Sequence, residues 1–359
     1  YKRQGVYYGA VFGGSTSSIL LNAPGVPGTV ATSFDGYPMA QQGKAGKALA
    51  IAAWSSFAGG TLSAIYLLFM APSLSKVSLS FRSPDYFALM ILGLTAIAAF
   101  SSKGQFLKAM MMVVLGLMLA SVGQDSLSDI TRFTFDNMNL TDGISFVLVV
   151  MSTFAMSEAL TIILKRNDPT AAAKQVSLTE LGSIRINKEE RGKMYRTIPR
   201  SSVIGFLIGV LPGAGATIAS FLAYGMERNL VKDEEKEKFG KGSVNGLSAP
   251  ETANNAACSG SFVPMLTLGI PGSGTTAVML GALLGFGIQP GPRLYMTNPE
   301  IFWSVIMSMY IGMVILLILN LPLIPYIARI LAVPKNYLIP LILFFSITGI
   351  YVMSFNNFD

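Results

Sequence analysis

Long apolar stretches alternate with short polar loops along the whole chain. Six uninterrupted stretches approach the length of a membrane-spanning helix: 48–71, 86–100, 109–122, 143–164, 302–327 and 338–353. A helix that crosses about 30 Å of hydrocarbon needs about 20 residues, so the stretches 86–100 and 109–122 are short for a span. The pattern predicts an all-α, polytopic membrane protein.

Three further apolar stretches, 6–34, 203–224 and 254–288, are interrupted by Pro and Gly. A backbone that breaks at membrane depth leaves N–H and C=O groups that only protein or a water-filled cavity can satisfy. We therefore predict re-entrant or broken-helix hairpins around a binding site.

Composition excludes several other classes of protein. Hydrophobic residues make up 52% of the chain and charged residues 13%, whereas soluble domains carry about 25% charged residues. The single Cys258 excludes a disulfide framework, and the absence of His excludes imidazole metal sites and His-based catalysis. The net charge of +7 comes from Lys and Arg in short loops, which indicates topology signals. We predict no enzyme, no metal, no cofactor and no nucleic-acid partner.

Loop charge predicts the orientation. The segment 165–200 carries nine Lys or Arg against four Asp or Glu, which places it in the cytoplasm by the positive-inside rule. The loop 124–142 carries four Asp and one Arg, so we expect it on the outer side. We predict a first repeat at 1–165, a cytoplasmic linker at 166–200 and a second repeat at 201–359. We also expect the first repeat to begin before residue 1 and the second to end beyond residue 359.

An internal similarity supports the two repeats. A shift of 247 residues aligns 13–29 with 260–276, and both segments contain an apolar run, a Pro-Gly pair and small hydroxyl residues. The first copy leads into a span that starts inside and the second into one that starts outside, which indicates an inverted repeat. Secondary transporters with this arrangement bind substrate and coupling ion between broken helices.

The breaks supply the candidate site residues, because broken helices offer N-terminal amides to anions and carbonyl ends to cations. We expect the substrate-binding residues to be Ser15, Thr16, Ser17, Asn22, Pro24 and Gly25 in the first break and Gly269, Pro271, Gly272, Ser273, Gly274, Thr275 and Thr276 in the second. The candidates for cation coupling are Glu251, Asn254, Asn255, Gly213, Gly215 and Glu158.

Each of these assignments has a structural alternative. Small residues also serve close helix packing, and Glu251 could simply favour a helix N-terminus. Asp35, in the sequence SFDGYP, is predicted to lie in a structural turn.

Several motifs, in this order along the chain, resemble the large membrane subunit of the tripartite tricarboxylate transporter family: YYGAVFGGSTSSILLNAPG, GVLPGAGATIASFLAY, APETANNAA and TLGIPGSGTTAVMLGALL. The resemblance covers essentially the whole chain. It implies a cation-driven importer of small carboxylates in the bacterial inner membrane. It also implies two partners, a small membrane subunit and a periplasmic solute-binding protein. The residues leave Na⁺ and H⁺ open as the coupling ion.

Two other functions stay open at this point. A passive anion channel would show flux that does not depend on a cation gradient. An intramembrane hydrolase would need a Ser-Lys pair, because the chain has no His, and no Lys lies deep within an apolar run.

Overall fold

A computed structural model describes residues 2–22, 26–79, 105–125, 130–141, 182–211 and 215–330, with isolated positions elsewhere. The predicted spans at 86–100, 143–164 and 338–353 lie largely outside these residues. The described part is helical apart from a small antiparallel pairing of Gly123–Gln124 with Thr131–Arg132. This agrees with the predicted all-α class.

The α-helices are numbered here in chain order. They are α1 (Lys2–Leu21), α2 (Val30–Met39), α3 (Ala45–Leu79), α4 (Phe106–Ala120), α5 (Lys188–Val210), α6 (Gly215–Leu230), α7 (Asp233–Lys236), α8 (Val244–Gly260), α9 (Phe262–Leu268), α10 (Gly274–Gly285), α11 (Leu294–Thr297) and α12 (Pro299–Ile330). Short 3₁₀ helices cover Pro27–Thr29 and Met138–Leu140, and a π-helical turn covers Ala40–Lys44.

Helix α8 forms the centre of the described structure. Every residue from Asn245 to Gly260 is buried, and α2, α3, α5 and α6 pack around it. The helix begins at a Ser243 N-cap, whose hydroxyl accepts a hydrogen bond from the Gly246 amide at 3.1 Å. Most of its side chains are small, which lets four neighbouring helices approach closely.

The crossing of α5 and α8 depends on glycine. A Cβ at Gly205 would lie 2.4 Å from the Ala253 carbonyl oxygen, and one at Gly209 would lie 2.3 Å from that of Ala257. Neither distance is compatible with a side chain, so these glycines set how closely the two helices pack.

We expect Gly209→Ala to lower the melting temperature of the detergent-solubilised protein, because the crossing must widen. Overpacking of this kind costs about 1–3 kcal/mol. Gly192→Ala on the same helix is the matched control, since nothing lies within 4 Å of its added Cβ and alanine is the better helix former. Equal melting temperatures for the two variants would contradict this account of the crossing.

Two helical stretches in the described part are long and apolar enough to cross a membrane, Pro27–Ser73 and Pro299–Leu321. They contain the predicted span 48–71 and most of the predicted span 302–327. The apolar helices α4 and α10 are shorter. Multi-pass topology and the inverted repeat stay predictions. Helix α5 runs without interruption through residue 200, where the linker was predicted to end.

Candidate functional site

Three interruptions between helices lie close to α8. The first separates α1 from the 3₁₀ helix at Pro27, the second separates α5 from α6, and the third separates α9 from α10. Left-handed residues follow the ends of α1 and α9, at Asn22 (φ 50°) and Gly269 (φ 73°), and a third, Gly215 (φ 64°), begins α6. Gly adopts this conformation without strain and Asn tolerates it better than most residues, which is why α1 and α9 end where they do.

The first break packs against the middle of α8 and the start of α6. A Cβ added to Gly28 would lie 2.5 Å from Oδ1 of Asn254 and 3.3 Å from the Ala216 Cβ. Gly28 therefore brings the chain after the first break directly onto the Asn254 side chain. Sequence reasoning missed Gly28, although it lies only three residues beyond the predicted Pro-Gly centre.

The third break lies at the C-terminal end of α8. A Cβ added to Gly272 would lie 2.9 Å from the Ser261 Cβ and 3.3 Å from the Gly209 carbonyl oxygen. The third break therefore contacts the last residues of α5, whereas the first contacts the start of α6. Both breaks thus border the interruption between α5 and α6.

Two asparagine side chains on α8 are incompletely bonded. Asn254 is fully buried, and neither its Oδ1 nor its Nδ2 has a hydrogen-bond partner in the described part of the chain. Asn255 is also fully buried; its Nδ2 donates to the Glu251 carbonyl oxygen at 3.0 Å, and its Oδ1 has no partner there. Buried polar groups are nearly always hydrogen-bonded, so these three side-chain atoms are exceptions within the described part of the chain.

Glu251 lies one turn before these amides and is fully buried. Its Oε1 accepts a hydrogen bond from the Thr32 hydroxyl at 2.5 Å, and its Oε2 accepts one from the Ser56 hydroxyl at 2.7 Å. The alternative role at a helix N-terminus is wrong, because α8 begins at Val244, about two turns earlier.

The hydroxyls of the third break are engaged in helix capping. The Ser273 hydroxyl accepts from the Thr276 amide at 3.3 Å, and Thr276 Oγ1 accepts from the Ser273 amide at 2.8 Å. Gly274 is the first residue of α10, and Thr275 is exposed. The Ser273 hydroxyl is also 3.5 Å from the Tyr7 hydroxyl of α1. These residues therefore fix the start of α10.

The hydroxyls before the first break bond within their own helix. Ser15 donates to the Phe12 carbonyl oxygen at 2.8 Å, and Ser17 donates to that of Gly14 at 3.1 Å. Ser15 and Thr16 line a small crevice with Asn320 of α12. Asn22 is exposed at the end of α1.

Four predicted site residues fall outside the described part of the chain: Pro24, Gly25, Gly213 and Glu158. The distance between the two predicted Pro-Gly centres is therefore not part of the described geometry, and these assignments stay predictions.

The turn predicted at Asp35 is wrong. Asp35 lies inside α2 and is fully buried. Its Oδ1 accepts hydrogen bonds from the Gly242 and Ser243 amides at 2.9 Å and 2.7 Å, and its Oδ2 accepts one from the Tyr224 hydroxyl at 3.0 Å. A carboxylate at this position complements the N-terminal end of α8 and joins α2 to it.

A second buried acid was missed by the sequence analysis. Glu227 of α6 is fully buried, and its Oε1 accepts hydrogen bonds from Thr197, Arg200 and Asn245 at 2.8 Å, 2.7 Å and 3.0 Å. Helical spacing could have predicted its burial, because Glu227 follows Ala219 and Ala223 at intervals of four residues on the same buried face of α6. The network joins α5, α6 and the start of α8.

Several charged residues of α3, α5 and α7 form ion pairs with one another. Lys193 of α5 is 3.1 Å from Glu235 of α7, and Lys47 of α3 is 2.9 Å from Glu190 of α5. Partial burial acts to raise the pKa of Glu235, but its bonds with Lys238 and Lys193 prevail and hold it below its ordinary value. These ion pairs join the start of α5 to α7 and to the start of α3, and the cytoplasmic location of this segment stays a prediction.

Two apolar helices of membrane-spanning length and helix breaks beside a buried, unpartnered amide in the described part of the chain are compatible with a membrane transport protein. The family model of the tripartite tricarboxylate transporter TctA family matches residues 4–359. The chain belongs to this family, whose members are components of tricarboxylate transporters rather than enzymes. The predicted family resemblance is confirmed.

Two proteins of Agrobacterium vitis are similar to the chain. An uncharacterized 52.8 kDa protein in the TAR-I ttuC' 3'region is 42% identical over 355 residues, which cover 99% of this chain and 69% of that protein. An uncharacterized protein in the TAR-II ttuC' 3'region is 46% identical over 155 residues, which cover 43% of this chain and 63% of that protein. No solved structure matches the chain.

Proposed function

We propose that this chain is the permease subunit of a multi-pass secondary importer that moves small carboxylates across the bacterial inner membrane. A cation gradient drives the transport, and a periplasmic binding protein delivers the substrate with the help of a small membrane subunit. Membership of the TctA family supports a tricarboxylate transporter component. The observation that carries the proposal is the unpartnered Asn254 amide, buried where the first break meets α8 and α6.

The chemistry of the breaks suits an anion. Helices α6 and α10 each begin directly after a break, at Gly215 and Gly274. The first-turn amides of a helix have no intrahelical acceptor and carry a partial positive charge, so they favour carboxylates. The Asn254 Nδ2 group adds a side-chain donor beside the start of α6. A small carboxylate can thus be held without a buried Lys or Arg, which eases its later release.

A positive ion completes this arrangement, because an anion in a low-dielectric site is costly without charge compensation. The free Oδ1 atoms of Asn254 and Asn255 would suit Na⁺, whereas Glu251 would suit a proton. Alternate exposure of the site then follows from movement of the broken helices relative to their partners, as in other transporters with inverted repeats.

Uptake by reconstituted protein tests the proposal. The chain, its small membrane subunit and its binding protein are placed in proteoliposomes, and entry of radiolabelled citrate is measured with an imposed Na⁺ gradient, pH gradient or neither. We expect saturable accumulation above the outside concentration only when a gradient and the binding protein are present. Flux that merely equilibrates citrate and ignores both gradients would instead indicate a passive channel.

A further inference from the structure

The carboxyl group of Glu251 is held by neutral partners alone. It is enclosed between α2 and α3, and its two oxygens accept hydrogen bonds from one hydroxyl each, Thr32 and Ser56. The described part of the chain contains no ion pair to Glu251. An ionised carboxylate without a counter-charge is strongly disfavoured at zero exposure.

Among the described residues of the surrounding helices, acids and phenols cannot supply a positive charge, and the nearby cations pair elsewhere. Asp35 of α2 bonds with Tyr224 of α6 and two amides, and Tyr8 of α1 bonds with Ser259. Lys47 of α3 pairs with Glu190, and Arg200 of α5 pairs with Glu227 of α6. Cys258 of α8, two helical turns beyond Glu251, and Tyr7 of α1, whose hydroxyl is 3.5 Å from that of Ser273, carry no positive charge.

We propose that Glu251 carries the coupling proton of the transport cycle. This inference rests on the proposed function and names the ion that the proposed function leaves open. The proton enters from the outer side, forms an O–H bond with one Glu251 carboxyl oxygen, and leaves to the cytoplasmic side when that bond breaks. No oxidant, reductant or other co-reactant takes part.

The two hydroxyls favour a proton over Na⁺. A hydroxyl can donate to a carboxylate or accept from a carboxylic acid, so Thr32 and Ser56 can serve both charge states by rotating their hydrogens. A hard metal cation instead needs several oxygen lone pairs turned towards one point. Both oxygens of the single carboxylate already receive a hydroxyl donor.

Protonation of Glu251 can also affect the chain at the first break, through Thr32. Thr32 lies in α2, which follows the 3₁₀ helix containing Gly28, and Gly28 contacts Asn254. Asn254 is three residues beyond Glu251, so the two side chains share one side of α8. A change in the direction of the Thr32 hydrogen bond therefore acts on the same hairpin that borders the amide.

Glu251→Gln tests the proposal, because glutamine keeps the shape and resembles the protonated acid. Proteoliposomes are clamped at zero membrane potential with valinomycin and equal K⁺, and two reactions are compared. We expect exchange of internal for external citrate to persist, because exchange requires no net movement of the coupled proton. Accumulation driven by a pH gradient of one unit, about tenfold per coupled proton, should disappear together with substrate-dependent proton entry.

Glu300→Gln is the matched control, because Glu300 is exposed at the start of α12, and it should retain both reactions. The proposal is overturned if Glu251→Gln still accumulates citrate with a pH gradient. It is also overturned if the variant melts like wild type but loses exchange, or if wild-type accumulation follows a Na⁺ gradient and not a pH gradient. Failure of the wild type to transport under any gradient would instead reject the proposed function.

Discussion

Asn254→Ala should abolish most carboxylate uptake while leaving the protein as stable as the wild type, or more stable. The Asn254 amide has no protein partner in the described part of the chain, so its removal breaks no hydrogen bond and relieves a buried unpaired group. A hydrogen bond to a charged ligand contributes about 1.5–3 kcal/mol, which corresponds to a roughly 10- to 150-fold loss of affinity. Initial rates of citrate uptake across a concentration series measure this loss, and melting in detergent measures the stability.

Asn245→Ala on the same helix provides the contrast. Its Nδ2 donates to Thr197 at 2.9 Å and to Glu227 at 3.0 Å, so its removal should lower the melting temperature. Opposite effects of the two substitutions on stability would separate an amide reserved for a ligand from one that serves the fold. A comparable destabilisation by Asn254→Ala would reject the ligand role of Asn254.

The second large effect is expected at Glu227. Glu227→Ala removes the shared acceptor of Thr197, Arg200 and Asn245, and thus removes the bonds that join α6 to α5 and to the start of α8. Breaking a buried ion pair costs about 3–5 kcal/mol. We expect a loss of about 3 kcal/mol here, because Arg200 is 40% exposed and can turn towards water.

Thermal melting of the detergent-solubilised variant measures this loss, and Glu234→Ala is the control. Glu234 is exposed on the neighbouring short helix α7, so its removal should leave the melting temperature unchanged. Unaltered melting of Glu227→Ala would show that the network does not hold these helices together.

The sequence carried enough information for the fold class and the family. Apolar length located helices α3 and α12, because span length follows from bilayer thickness rather than from packing. Pro and Gly located the interruptions after Asn22, Val210 and Leu268, because their backbone preferences are local. The motif order then identified the family. The polar cluster at Glu251 and Asn254 was also visible, since such groups are unexpected in an apolar context.

The partners of those groups were not predictable. Thr32 and Ser56 lie 219 and 195 residues from Glu251 in the chain, and no local pattern relates positions that far apart. Conversely, Ser15 and Ser17 were expected to bind substrate, whereas their hydroxyls bond to their own helix. Ser and Thr have this local option in any helix, so residue type alone does not separate the two roles.

Asp35 was misjudged and Glu227 was missed, for related reasons. Gly and Pro around Asp35 favour a turn, but Pro38 lies within the continuing helix α2, where contacts with α8 and α6 prevail over local preference. Glu227 follows a row of alanines, and its burial depends on Arg200, which comes from another helix. Contacts with other helices, rather than local sequence, therefore determine the environments of Asp35 and Glu227.

The complete enclosure of α8 restricts how the molecule can change shape. A helix with no side towards lipid or water cannot tilt or rotate without displacing α2, α3, α5 and α6 at once. We therefore expect α8 to stay in place during an import cycle. The surrounding helices would then move along the glycine and alanine residues at their contacts with α8.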